Sequence, residues 1–263
     1  MDAAPPALAP KTDRLTLTDP LFISDLHLAD AQPRTLARFE RFVASTARTH
    51  AELVILGDLF EFWAGDDATD DAVAVRVADA LGGLSAAGVK VYLMHGNRDL
   101  LLGNDFARRI GATLLVDPAL ALIAGSTVML AHGDVYCTLD LEYMRFRAQV
   151  RNPDFQRAFL AKSLAERRAF VGQARAASEA GKQQKSMEIM DVTPQAIDDA
   201  LRGAGVTLMV HGHTHRPAMH RITLDGAPAE RWVLPDWDFD ADKVRGGYLT
   251  ASGGRLRVVD LAP

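Results

Sequence analysis

Apolar positions along the chain fall into two kinds of grouping, short unbroken runs and longer stripes at helical spacing. The runs are Leu21-Phe22-Ile23, Leu53 to Leu56, Val89 to Met94, Thr127 to Ala131 and Val206 to Val210, and each predicts a β-strand. Leu36, Phe39, Val43 and Ala47 make one helical stripe behind Pro33. Val73, Val77 and Leu81 make a second, behind the acidic cluster Asp66 to Asp71. Phe106 and Ile110 mark a short third helix that stops near Gly111. Strands that alternate with amphipathic helices predict an α/β layered fold. The C-terminal part differs, because residues 220–236 and 246–261 read as strands joined by turns at Asp225-Gly226 and Gly253-Gly254. Added to a parallel sheet, this antiparallel extension predicts a four-layer α/β/β/α sandwich.

About 70 residues separate the fourth strand's loop from the fifth's, and this stretch reads as helical. Asn152-Pro153 suits a helix start, and Phe155, Phe159, Leu160, Leu164, Phe170 and Val171 recur at helix-like spacing. We expect a helical cap insertion at about 136–200, lying over whatever site the strand ends form. Its apolar residues would either pack the cap onto the domain or line a hydrophobic groove. Residues 20–263 are expected to form the domain that carries the cap. Residues 1–19, with Pro5, Pro6 and Pro10 and little periodicity, read as a flexible N-terminal extension.

Each of the five runs leads into a short polar motif. In order these are Asp25-Leu26-His27, Gly57-Asp58, Gly96-Asn97-Arg98-Asp99, His132-Gly133-Asp134 and Gly212-His213-Thr214-His215. One such strand end is unremarkable, but five in order put carboxylates, an amide and imidazoles on the rim of one sheet, where open sheets bind ligands. Asp25 and His27 stand two apart and share a face. Asp58 has two oxygens and can bridge two ions. Asn97 offers a neutral oxygen, and His132, His213 and His215 add nitrogens. Mixed oxygen and nitrogen ligation without thiolate suits manganese, iron or zinc better than calcium or copper(I). Two such ions, about 3.5–4 Å apart, can clamp a phosphate and activate water. The pattern therefore predicts a two-metal phosphoesterase centre. Glu61, Asp99, Asp134 and His211 look like supports that orient imidazoles or turn amides. His50, His95 and His220 look like surface or packing residues.

Composition narrows this only at the edges. The chain has 263 residues, 48% of them hydrophobic and 24% charged, as an ordinary globular domain has. No apolar run approaches the roughly 18 residues of a membrane span, and no signal peptide is evident. Cys137 is the sole cysteine, so no intrachain disulfide forms, which fits a reducing cytoplasm. A net charge of −5 argues against general nucleic-acid binding. Between Arg145 and Lys185, however, ten Lys/Arg face three Asp/Glu. That local excess points to an anionic partner or to a solvated helix face.

On its five motifs the chain resembles the calcineurin-like metallophosphoesterases. The resemblance implies one metal held by Asp25, His27, Asp58 and His215, and a second held by Asp58, Asn97, His132 and His213. One position departs from the common pattern of that superfamily, where a histidine follows the asparagine. Here it is Arg98, whose guanidinium keeps its proton and cannot act as a general acid. It can bind phosphate oxygens in bidentate fashion. An arginine there suits a leaving group that departs unprotonated, so cleavage of a P–O–P linkage fits better than cleavage of an alkyl phosphodiester.

More narrowly, the stretches 22–28, 57–63, 96–99, 185–192 and 211–217 resemble the UDP-2,3-diacylglucosamine pyrophosphohydrolases of the lipid A pathway. That resemblance implies manganese-dependent attack of water on the α-phosphate, giving UMP and 2,3-diacylglucosamine 1-phosphate. It implies catalytic roles for Asp58, Asn97, Arg98 and His213, and substrate contacts at Asn97, Arg98, Asp140, Ser178, Lys182, Lys185 and His213. Lys182 stands where the family pattern can carry asparagine. It further implies a peripheral place on the anionic cytoplasmic face of the inner membrane, with no obligate protein partner and no nucleic acid. Two other readings stay open on the residues alone. One is a phosphohydrolase of soluble nucleotides such as dinucleoside polyphosphates, and the other is a non-catalytic scaffold on the same fold.

Overall fold

In the computed structural model, which describes residues 14–172, 189, 191–252 and 254–261, twelve strands form two six-stranded sheets. The first has the order β12-β11-β2-β3-β4-β5. Its strands are β2 (Pro20–Ile23), β3 (Glu52–Leu56), β4 (Lys90–Met94), β5 (Ala112–Leu115), β11 (Gly247–Ser252) and β12 (Arg255–Asp260). The second has the order β1-β6-β7-β8-β10-β9. It contains β1 (Leu15–Leu17), β6 (Ala119–Ile123), β7 (Ser126–Ala131), β8 (Leu208–His211), β9 (Ala218–Leu224) and β10 (Ala227–Val233).

The sheets stack face to face, and alternation along each strand shows how. Leu21, Ile23, Leu53 and Ile55 face outward, where Leu36, Phe39 and Val43 of the helix Pro33–Ala44 and Val77 and Leu81 of the helix Ala72–Ala86 cover them. Their neighbours Phe22, Val54 and Leu56 face inward and meet Ala121, Val128, Leu130 and Val210 of the second sheet. The outer face of that second sheet, Leu120, Met129 and Met209, is covered by Ile197, Leu201 and Ala204 of the helix Pro194–Ala204. The order is thus helix, sheet, sheet, helix. Strands buried on both faces need apolar side chains throughout, which is why the sequence shows unbroken runs there. Local signals start the helices. The Asp71 side chain caps Ala72–Ala86 by accepting from Ala74 N–H at 3.0 Å, and Asn152 caps Pro153–Leu160 through Asp154 N–H at 2.8 Å.

Several expectations need correcting. The five motif strands do not share a sheet: β2, β3 and β4 lie in the first, and β7 and β8 in the second. The expected extension ends early, because residues 15–17 pair in parallel with β6. Leu17 is buried against the inter-sheet core, and the Glu52 carboxylate holds Thr18 and Asp19 in place. Strands β5 and β6 were not anticipated. The two C-terminal hairpins are present but divided, β9–β10 extending one sheet and β11–β12 the other.

In the region read as a cap, helices run over Leu141–Val150, Pro153–Leu160 and residues 164–172. Phe159 and Phe170 meet edge to face at 5.2 Å, with Phe155 beside them. Arg167, only 3% exposed, grips Asp67 with both guanidinium ends and donates to the Ala64 carbonyl. Arg168 pairs likewise with Asp70. The acidic loop ahead of Ala72–Ala86 therefore receives the basic face of this helix. The helix Pro194–Ala204, by contrast, belongs to the sandwich and not to the cap.

Candidate metal centre

The carboxyl ends of β2, β3, β4, β7 and β8 converge where the two sheets meet, and five candidate ligands there are bent into an unusual backbone. Asp25, His27, Asp58, His213 and His215 have φ of 55°, 50°, 52°, 69° and 52°. Among the described residues only Ala124 and Asp225 share this left-handed conformation without being glycine. Such strain costs about 1–3 kcal/mol per residue and clusters at functional sites. Each loop turns its side chain back over the strand end instead of onward. Glycine makes the close packing possible, since a Cβ on Gly96 would overlap the Asp58 carboxylate.

Two groups of donor atoms result, each within 4.8 Å: Asp25, His27 and His215, and Asp58, His132 and His213. Asp58 joins them, with His27 Nε2 3.7 Å from Oδ2 and His132 Nε2 3.8 Å from Oδ1. Asn97 Oδ1 completes the second group, 3.1 Å from His132 Nε2 and 3.0 Å from His213 Nδ1. In the first group His215 Nε2 lies 3.5 Å from Asp25 Oδ1 and 3.2 Å from His27 Nε2. Imidazole nitrogens turned toward one another, toward carboxylates and toward an amide oxygen make a mixed donor set that suits shared divalent cations. All seven residues singled out as ligands meet here.

Charge in the site follows from burial and neighbours. Burial disfavours the charged form of His132, but Asp58, Asp134 and Asp25 outweigh it and raise its pKa to about 9. Burial likewise opposes His215, which Asp236 and Asp25 raise to about 10. Burial and the charge of His132 lower His213 to about 4. Asp25 is held well below the usual carboxylate range by His215, His132 and His27, against the effect of burial.

The supporting residues divide by task. Glu61 Oε2 stands 2.8 Å from His27 Nδ1. Asp99 gathers the amides of Asp58, Leu59 and Gly96, joining two ligand loops. Asp134 orients no imidazole; it accepts from Tyr143 Oη at 2.7 Å and Arg147 Nε at 2.8 Å, fastening the helix Leu141–Val150 to the His132 loop. Arg98 donates its amide to Asp58 Oδ1 at 2.8 Å, and its guanidinium lies 3.7 Å from Glu61. Asp140 caps its helix by accepting from Tyr143 N–H at 3.0 Å. Ser178, Lys182 and Lys185 lie outside the described residues. His50 is 3.0 Å from Asp19, and His95 Nε2 is 2.6 Å from the Leu102 carbonyl.

Sequence reasoning missed three contributors. The Asp236 carboxylate lies 3.4 Å from His215 Nδ1 and is itself gripped by Arg245. The signal was present, since Trp232 to Leu234 followed by Pro235-Asp236 is another apolar run ending in a carboxylate. Tyr143 stacks on His213 with ring centroids 5.9 Å apart, and Asp117 accepts from His132 N–H at 3.2 Å. Neither leaves a mark in the local pattern.

Comparison with known proteins agrees with this geometry. Residues 20–217 match the family model of the calcineurin-like phosphoesterases. The chain is 48% identical to a UDP-2,3-diacylglucosamine hydrolase of Bordetella pertussis, over 95% of this chain and 98% of that one. It is 50% identical to the protein of that name from Cellvibrio japonicus, over 82% and 90% of the two chains. With the Ralstonia nicotianae protein it shares 45% identity over 97% of each.

Proposed function

The chain belongs to the calcineurin-like phosphoesterases and, among them, to the UDP-2,3-diacylglucosamine hydrolases, and from that membership we propose that it hydrolyses the pyrophosphate of UDP-2,3-diacylglucosamine to UMP and 2,3-diacylglucosamine 1-phosphate. The observation that carries the reading is the meeting of two oxygen-and-nitrogen donor groups at one buried carboxylate, Asp58. In this reading Asp25, His27, Asp58 and His215 hold one divalent ion, and Asp58, Asn97, His132 and His213 hold the other. Two such ions supply a clamp for phosphate oxygens and lower the pKa of the attacking water. We assign manganese to both places, in keeping with the mixed donor set.

The chain's own residues do the rest. The Arg98 guanidinium, held near Glu61, would meet the phosphate oxygens and neutralise charge that builds on the leaving phosphate. It donates without surrendering a proton, which suits attack at the α-phosphate with the acylated sugar phosphate departing as an anion. His213 and Asn97 would also touch substrate, as would Asp140, Ser178, Lys182 and Lys185 from the cap.

The apolar part of the substrate needs shelter from water. A cavity lined by Phe62, Trp63, Ala68 and Val171, with Asp71 and Arg168 also on its wall, lies beside the helix at 164–172, and Leu139, Leu141 and Phe146 are exposed at and before the helix Leu141–Val150. These features support a cap over residues from about 136 that takes the acyl chains. With the basic excess of the insert, they support docking on the anionic cytoplasmic face of the inner membrane. No helix among the described residues is long and apolar enough to cross a membrane. The test is hydrolysis of UDP-2,3-diacylglucosamine with and without manganese, resolving UMP from other products. Manganese-dependent UMP release is expected. Failure on the lipid with turnover of diadenosine tetraphosphate would keep the metal centre and discard the substrate.

A further inference from the structure

His211 is wholly buried at the end of β8, and its imidazole lies against the loops that carry His132 and His213. Its Nδ1 lies 2.8 Å from the carbonyl oxygen of Gly212. A Cβ on Gly133 would come within 2.8 Å of that nitrogen, so the imidazole fills the space beside the His132 loop. From Gly212 the chain of contacts runs directly into the centre. Gly212 N–H donates to the His132 carbonyl at 2.9 Å, and His213 N–H donates to both oxygens of Asp25 at 3.0 and 2.9 Å. Any turn or shift of the His211 ring is passed on to His213 and Asp25.

A carbonyl oxygen only accepts, so the Gly212 contact places the ring hydrogen on Nδ1, and the other side of the ring agrees. Arg231 of β10 has Nη1 3.0 Å from His211 Nε2. A guanidinium has donors only and keeps its proton. Nε2 must therefore accept, which leaves the ring hydrogen on Nδ1, facing the Gly212 carbonyl. The strand register builds this contact. β10 runs parallel to β8 with Arg231 opposite Met209 and Val233 opposite His211, so Arg231 and His211 are diagonal neighbours on one face.

We propose that Arg231 is a positioning residue for the metal centre. By donating to His211 Nε2 it fixes the imidazole with its hydrogen on Nδ1, and through the Gly212 carbonyl it holds the His213 loop in its ligating shape. The consequence for metal rests on the function proposed above, whereas the tautomer does not. Partners bonded directly to ligands change metal affinity by about 10–100-fold, and Arg231 acts further out, through His211 and the Gly212 carbonyl.

The experiment uses the full chain, metal-free, with ¹⁵N-labelled histidine. Long-range ¹H–¹⁵N correlation reads the tautomer of His211, whose signals are assigned by their loss in H211N. Manganese titration by calorimetry and thermal unfolding accompany it, on wild type, R231M and R231K. We expect wild-type His211 with hydrogen on Nδ1 and an Nε2 resonance shifted by the bond from Arg231, loss of that Nε2 shift in R231M, and second-ion affinity about 10-fold weaker there, the low end of the range for partners of ligands. R231K, which can still donate, should restore both, and in R231M kcat should fall more than KM rises.

A wild-type spectrum with hydrogen on Nε2 overturns the proposal without any variant. So does R231M with an unchanged Nε2 resonance and affinity, or with a lowered unfolding temperature alone, which would make Arg231 merely structural. Should R231M not fold, the wild-type spectrum and the R231K titration decide between the same outcomes. Wild type with the Nδ1 form but no uptake of manganese would sink the metal reading and leave the hydrogen-bond assignment intact.

Discussion

Replacing Asp99 by asparagine isolates what holds the Asp58 and Asn97 loops together. The side chain is wholly buried. Its Oδ1 accepts from Gly96 N–H at 2.8 Å and Asp58 N–H at 3.3 Å, and its Oδ2 from Leu59 N–H at 2.8 Å and Phe60 N–H at 3.4 Å. Asparagine keeps the shape but turns one oxygen into an amino group. Whichever end it takes, one short and one long bond are lost, and two donors then face each other. Hydrogen bonds to a charged acceptor contribute about 1.5–3 kcal/mol each, so with the long bond counted at about half the gross loss is about 2–4 kcal/mol. Part is recovered, because burial and the charge of Asp58 already push the Asp99 carboxyl up. A net loss of about 2–3 kcal/mol remains, which lowers Tm by roughly 5–10 °C for a chain of this size. Asp99→Ala, which leaves all four amides without an acceptor, should lose more. Urea and thermal unfolding of the metal-free proteins measure both. A neutral carboxylic acid has one donor and one acceptor, as an amide has. Asp99→Asn with wild-type stability would therefore mean that Asp99 is protonated, and the charge-assisted clamp would be refuted.

Asp58→Ala should abolish uptake of both ions and nearly all turnover, whereas Arg98→Ala should keep its metal and raise KM by about 10–100-fold, the worth of a lost bidentate contact; equal metal loss in both, read by elemental analysis, would show this division of roles to be wrong. In the metal-free protein, His132 and His215 have pKa values of about 9 and 10 against an ordinary 6.5. The stability they contribute is complete below pH 6.5 and is lost as pH rises through 9–10. Metal affinity should run the other way, because bound nitrogens must shed those protons. Unfolding at pH 6, 8 and 10 checks the first trend, and calorimetry in buffers of different ionisation heat should detect proton release on binding near pH 7. At the cap, Arg167→Ala should cost about 2–3 kcal/mol, because that side chain is 3% exposed and also serves backbone carbonyls. Asp67→Ala, at a carboxylate 62% exposed and screened by water, should cost about 0.5–1 kcal/mol; equal losses in the two variants would contradict that asymmetry.

Much of the centre was legible before any coordinates, because its chemistry is written locally. A run such as Leu53 to Leu56 must be a buried strand, and the Gly57-Asp58 that follows must be the turn leaving it. A side chain at a strand end can do little but face the rim, so seven ligands could be named from spacing and residue type. The helix starts at Pro33 and Asn152-Pro153 were legible for the same reason, since a first-turn proline and a cap are local signals. Strand β5 escaped because it is four residues long and only partly buried, and β6 because a run as short as Ala119 to Ile123 fits a buried helix as well as a strand.

What the sequence by itself determined was the five motif strands, the turns that end them and the candidate ligands they carry, in order. Only the tertiary structure decided that β7 and β8 leave the first sheet for the second, because a strand buried on both faces carries the same apolar run in either. It alone brought Asp236 to His215 and Arg231 to His211, across 21 and 20 residues of chain. Such pairs depend on which strands lie side by side, and strand neighbours are chosen by packing over the whole core, which no local pattern records.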